Sequence, residues 1–156
     1  MNTPYEQTGA LFRAYCNQLR YRTAWIIGAP LTGKSTLARQ LCTHFGWRYL
    51  NYTLDEGYFD QLQGRLETYQ PDDLCHELSR WSAATTQSIL IVDELDALLS
   101  CWQPQQQRSF AHRASRLPEL PCGLLLVSNL FEATTLESLL PPSDRRAYID
   151  LSGVSQ

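Results

Sequence analysis

The chain has 156 residues, 44% of them hydrophobic and 19% charged, with a net charge near -3, so residues 1–156 read as a single globular domain. That charge argues against an overall electrostatic grip on nucleic acid. No run reaches the roughly eighteen apolar residues of a membrane span, and residues 1–20 lack a signal-peptide pattern, which makes cytoplasmic residence the default. Five scattered cysteines, Cys16, Cys42, Cys75, Cys101 and Cys122, odd in number and never in C-x-x-C spacing, support neither a disulfide framework nor a zinc knuckle and read as reduced, mostly buried thiols.

From the start, Leu11, Phe12, Tyr15 and Leu19 recur at helical spacing, predicting a helix over 5–19 that packs on the sheet edge or, given the phosphate-loop pattern GAPLTGKST further on, covers a nucleotide base. A short apolar strand follows, Ala24 to Ile27. It opens into GAPLTGKST, which matches G-x-x-x-x-G-K-[ST] and is the phosphate-binding P-loop pattern. In that pattern Gly28, Ala29, Pro30, Leu31, Thr32 and Gly33 wrap a phosphate. Glycines let backbone N-H groups turn inward, and a helix N-terminus favours the anion. Lys34, the sole lysine beside twelve arginines, is predicted to reach the β- and γ-phosphates of a nucleotide. Ser35 offers a hydroxyl to Mg²⁺, and Thr36 adds a phosphate contact.

A helix from about Lys34 stops at Gly46 after Leu37, Leu41 and Phe45 have lined one face, and the aromatic alternation WRYLNYT predicts a strand over 47–53. Residues 58–69 and 72–84 read as two helices divided by Pro71, an insertion or long crossover. SILIVD, residues 88–93, is the continuous apolar run of a strand buried on both faces of a parallel sheet. It leads into Asp93 and Glu94. An aspartate there can hold the Mg²⁺ hydration shell, and the next glutamate can orient and deprotonate an attacking water; a solvated pair of acids at a strand end is the plainer alternative. Asp96 suits the first turn of a helix over 95–102.

Residues 104–116 predict another helix, with Arg108, His112 and Arg116 spaced by four beside Arg113. That stripe is either a solvated face or a contact for a DNA backbone, a partner or a neighbouring subunit. A second buried strand, GLLLVS, spans 123–128, followed by a short helix over 134–140 and a last strand over 147–151. Five strands alternating with helices argue for an α/β fold with a parallel sheet and the ligand at the strands' C-terminal ends.

GAPLTGKST followed by ILIVDELDAL resembles the Walker A and Walker B pair of the AAA+ class of P-loop ATPases, over nearly the whole chain, residues 23–151. The resemblance implies a three-layer P-loop NTPase sandwich with strand order 5-1-4-3-2, binding and hydrolysing ATP with Mg²⁺ in an oligomer or larger complex. It implies that Asn129, after LLLV, is the polar sensor that bonds the γ-phosphate and attacking water; capping the next turn is the alternative. It also implies an arginine finger, at Arg145 or Arg146 in SDRRAYIDL, acting on a neighbouring subunit's nucleotide; the alternative is a solvated pair. Only SGVSQ follows Leu151, so the family's C-terminal helical lid is expected to be missing and ATPase activity alone weak. More narrowly, the chain is similar to the small lidless ATPase of BREX phage-defence loci, which implies a bacterial component working with larger defence proteins and DNA. Two other functions remain open: a nucleotide-gated regulatory module with little hydrolysis, and a small P-loop kinase. The kinase is disfavoured because Glu94 directly follows Asp93 and no arginine-rich lid follows the sensor strand.

Overall fold

A computed structural model describes the backbone of residues 4–18, 21–29, 32–55, 60–62 and 64–152, and side chains within those spans except 4–5 and 15–18. Helix α1, Pro4–Gln18, precedes strand β1, Thr23–Ile27. Helix α2 (Lys34–Phe45) and strand β2 (Arg48–Asn51) come next, then α3 (Pro71–Ala83), β3 (Ile89–Asp93), α4 (Asp96–Leu99) and α5 (Pro104–Ala114). Strand β4 (Gly123–Ser128), helix α6 (Ala133–Leu139) and strand β5 (Tyr148–Asp150) complete the order. All strand pairs are parallel, and the five-stranded sheet runs β2-β3-β4-β1-β5, the expected order read from the other edge.

Alternation along the strands divides the core. Trp25, Ile27, Val92, Leu124 and Leu126 face one side, where Leu74 and Leu78 of α3, Leu98 of α4, Phe110 of α5 and Leu136 of α6 cover them. Ala24, Ile26, Ile91, Leu125 and Val127 face the other, against Phe12 of α1 and Ala38 and Leu41 of α2. The result is three layers. Trp25 anchors the first side: its indole N-H donates to Ser115 Oγ at 2.9 Å, and its ring meets Phe110 and Phe131 edge-on. Trp47, Trp81 and Trp102 are buried as well.

Four sequence expectations change. Helix α1 packs on α2, β1 and β4, hence on a sheet face rather than its edge, because fully buried Phe12 joins the second cluster. Its predicted end at Leu19 lies outside the described residues. The helix expected over 58–69 is absent from the part described: Asp60–Leu62 is one 3-10 turn and 64–68 are turns, with Gly64 at φ 83°, a left-handed conformation that interrupts a right-handed helix. Strand β2 is shorter than 47–53, because residues 52–54 turn and Asn51 Oδ1 accepts from the Thr53 N-H and hydroxyl. Helix α4 covers only 96–99 of the expected 95–102, the carbonyls of Leu98 and Leu99 being taken by the N-H groups of Cys101 and Trp102 in tight turns. No disulfide joins the described cysteines; Cys75 and Cys122 are buried, Cys42 half-buried and Cys101 exposed, while the Cys16 side chain lies outside the described set.

Candidate functional site

Strands β1, β4 and β3 are neighbours, and their C-terminal ends emerge at one edge of the sheet. From β1 comes the loop beginning at Gly28, from β3 the pair Asp93 and Glu94, and from β4 Ser128 and Asn129. Residues more than thirty apart in sequence are thereby brought to one edge.

The loop turns into α2 at Gly33, whose φ of 88° suits glycine and whose missing Cβ faces open space. Gly28 answers a different demand: a Cβ there would meet Thr32 Oγ1 at 2.8 Å and Leu151 and Ser152 at 3.3 Å. The chain leaving β5 therefore lies against the loop's first residue, and the Ala29 N-H donates to Ser152 Oγ at 3.1 Å. Lys34 is 9% exposed, and its ammonium donates to the Ala29 carbonyl at 2.7 Å and to Thr32 Oγ1 at 3.3 Å, so it is turned into the loop. Burial pulls its pKa down, against the opposing pull of Asp96, Asp93 and Glu94 in that order. The Ser35 hydroxyl, in the first turn of α2, makes no hydrogen bond among the described residues. Pro30 and Leu31 lie outside the described residues.

Asp93 is 3% exposed, and both its oxygens are held: Oδ1 accepts the Glu94 N-H at 2.8 Å and Oδ2 the Tyr49 hydroxyl at 2.6 Å. Glu94 follows at φ 64°, a conformation a side-chain-bearing residue adopts at a cost of about 1–3 kcal/mol, and its carboxylate is exposed and unpaired among the described residues. Loss of hydration, then the carboxylates of Asp93 and Asp96, push the Glu94 pKa up, while Arg39 and Lys34 oppose the shift. Asp96 does open α4 as expected, but it has a larger task. Its two oxygens accept the Ser128 hydroxyl and the Asn129 N-H, each at 2.7 Å, and Ser128 Oγ in turn accepts the Leu130 N-H at 3.1 Å. The turn after β4 is thus pinned to α4, leaving the Asn129 side-chain amide without a protein partner among the described residues.

Sequence reasoning had no signal for Tyr49, Arg39 or the second role of Asp96, because all three depend on which strands become neighbours. Arg145 and Arg146 are exposed and precede β5, whose Tyr148 aligns with Trp25 of β1. They lie in the turn that leads into β5, at the N-terminal end of the sheet. The basic stripe expected over 104–116 is partly engaged, its last member lying just past the end of α5: Arg113 pairs with Asp72, and Arg116 donates to the carbonyls of His112 and Leu139 at 2.9 and 2.6 Å. Arg108 has no ion pair among the described residues.

The donor set fits a polyphosphate with a hard divalent cation. One buried lysine sits among three carboxylates, a surplus of negative charge suited to a cation, and Ser35 and Asp93 offer hard oxygens. Among the described residues no cluster of three or more His, Cys, Asp or Glu side chains could hold a metal alone, so phosphate and water would complete its shell. No described helix is long and apolar enough to cross a membrane, and none follows β5.

Among solved structures, PCH-2 of C. elegans superposes with a TM-score of 0.50 at 13% identity, over 97% of this chain and 42% of that one. Orc1 of Aeropyrum pernix, solved in complex with DNA, gives 0.49 at 15%, covering 97% and 44%. Cdc6p from Pyrobaculum aerophilum gives 0.46 at 19%, covering 95% and 45%. The chain spans less than half the length of each, and at such identities the PCH-2 match speaks to the fold alone. A comparison with curated proteins finds no significant match. The family model that matches covers residues 24–117, more than half of the chain and both acidic and phosphate-loop motifs, and the protein belongs to the ATPase family associated with various cellular activities (AAA).

Proposed function

We propose that the protein binds ATP with Mg²⁺ at the shared edge of β1, β3 and β4 and hydrolyses it, weakly as a single copy and faster in an assembly. The observation that carries this is the charge arrangement at that edge: the single lysine, buried at the start of α2, lies within electrostatic reach of Asp93 at the end of β3 and of Glu94 and Asp96 just after it. Lys34 would exchange the Ala29 carbonyl for the β- and γ-phosphates, with the loop residues Gly28, Ala29, Pro30, Leu31, Thr32, Gly33 and Thr36 around them. Ser35 and Asp93 would hold the cation, which when bound offsets phosphate charge and aligns the terminal phosphoryl group. Glu94, its pKa already raised, would take the proton of the attacking water, and Asn129 would orient that water with its free amide.

Arg145 and Arg146 lie at the opposite end of the sheet from this chain's own loop, which favours their acting on a neighbour's nucleotide. A homo-oligomer built through nucleotide interfaces, or a larger complex, follows from that reading. The motif set supports a bacterial anti-phage role of the BREX type, in which DNA would be reached through a partner, since Arg113 and Arg116 are already engaged. A second reading, a nucleotide-gated module with little turnover, draws on the bonds of Lys34 to Ala29 and Thr32, which nucleotide must displace. Lys34→Ala should remove Mg-ATP binding in a titration while leaving the melting transition cooperative. Turnover measured across protein concentration then separates the two readings, and unchanged nucleotide affinity in the variant would sink both.

A further inference from the structure

We propose that Tyr49 is a positioning residue whose hydroxyl locks the Asp93 carboxylate in the orientation that receives a divalent cation beside bound phosphate. The inference rests on the nucleotide-site reading above and assigns that site a component from β2, a strand that neither motif touches. In register Tyr49 pairs with Ile91, two residues before Asp93, so its side chain must reach about 6–7 Å along the strand. A phenol is long enough to do so, and its O-H meets Asp93 Oδ2 at 2.6 Å. The other oxygen is fixed by the Glu94 N-H at 2.8 Å. Held at both ends, the carboxylate cannot rotate about its terminal bond. Each oxygen keeps a further acceptor direction for a cation-bound water. A donor behind a metal-facing carboxylate sets its orientation, and removing such donors commonly weakens metal affinity by about 10–100-fold. Phenylalanine would fill the same half-buried place; only the hydroxyl does this work.

The test uses the full chain and a fluorescent non-hydrolysable ATP analogue, titrated in chelator and then across Mg²⁺ concentration. The parent should bind more tightly as Mg²⁺ is added. Tyr49→Phe should keep the metal-free affinity, stay cooperatively folded, and need about tenfold more Mg²⁺ for half of the tightening. Tyr148→Phe, which removes an edge-strand hydroxyl that donates to Glu137 of α6, should match the parent. A folded Tyr49→Phe with the parent's Mg²⁺ response overturns the inference and leaves the nucleotide site standing. Equal loss of affinity with and without Mg²⁺ overturns it too, since that would report loop damage. A parent that binds no analogue under either condition instead removes the nucleotide-site reading itself.

Discussion

Replacing Asp96 with alanine should uncouple stability, turnover and nucleotide affinity in a definite ratio. The change deletes two acceptors at once, for the Ser128 hydroxyl and the Asn129 N-H, both at 2.7 Å. A backbone N-H stranded in a part-buried turn costs about 1–3 kcal/mol, and the buried Ser128 hydroxyl adds roughly 1 kcal/mol unless it rotates to a new partner. Against this stands a gain. Burial pushes the Asp96 pKa up, with Asp93 adding repulsion, so its ionised form is held at some cost and its removal relieves that cost. The balance is a net loss of about 1–3 kcal/mol, which at this chain length lowers Tm by about 2–4 °C for each kcal/mol. Function should fall further than stability. Asn129 would lose the clamp on its backbone, and a displacement near 1 Å at a catalytic group can cost about 100-fold in rate. Thermal melting of the nucleotide-free protein, calorimetric titration with an ATP analogue and single-turnover hydrolysis give the three quantities. A variant that melts and turns over like the parent would refute the clamp. So would equal losses in affinity and rate, which would mean that Asp96 acts through Lys34, whose foremost electrostatic partner it is.

Glu94→Gln should bind ATP normally while turnover drops by about 10²–10⁴-fold, as expected when a general base is lost. The parent's nucleotide-free stability should depend on pH through Glu94, and that of the variant should not. The folded-state pKa of Glu94 is raised, so the group favours folding below the ordinary glutamate value of about 4.3, and that contribution is lost as pH rises through the folded value. The glutamine variant should therefore melt above the parent near neutrality, with the gap closing in acid; a gap constant across pH contradicts this sign. Specific ATPase rate should rise with protein concentration, and alanine at Arg145 or Arg146 should lower it without weakening ATP binding. Mixing that arginine variant with Glu94→Gln should restore part of the activity, because one mixed interface pairs an intact glutamate with an intact arginine. A rate independent of concentration, with monomers persisting on an ATP analogue, would assign the arginines to the surface.

The strands were legible because ILIVD and GLLLVS are buried on both faces, and continuous apolar runs bounded by turns have few other readings. The loop from Gly28 to Ser35 was legible because its chemistry is local in sequence. What escaped was set by register. Tyr49 reaches Asp93, and Asp96 reaches Ser128 and Asn129, only because β2 and β4 flank β3, and no spacing within one element encodes that. The partners of the basic stripe were hidden in the same way: a repeat of four residues marks a helix face, while Asp72 and the Leu139 carbonyl decide which arginines on it are engaged. Residues 58–69 misled because their composition suits a helix, whereas Gly64 at φ 83° permits a turn.

The position of β1 has a consequence for how the chain folds during synthesis. Its two partners are β4, which pairs Thr23 with Leu124, and β5, which pairs Trp25 with Tyr148, so neither edge of β1 can be satisfied by chain made soon after it. Contacts this distant make for slow folding, since the intervening loop must close before any pairing rewards it. As the chain emerges from the ribosome, TAWII and later ILIV are apolar segments waiting for β4 to slide between them. Until it arrives, exposed edges of this kind invite pairing with other chains. Truncation before residue 128 should accordingly produce aggregation rather than a stable half, and the phosphate loop becomes a structured element only in the closing stage of folding.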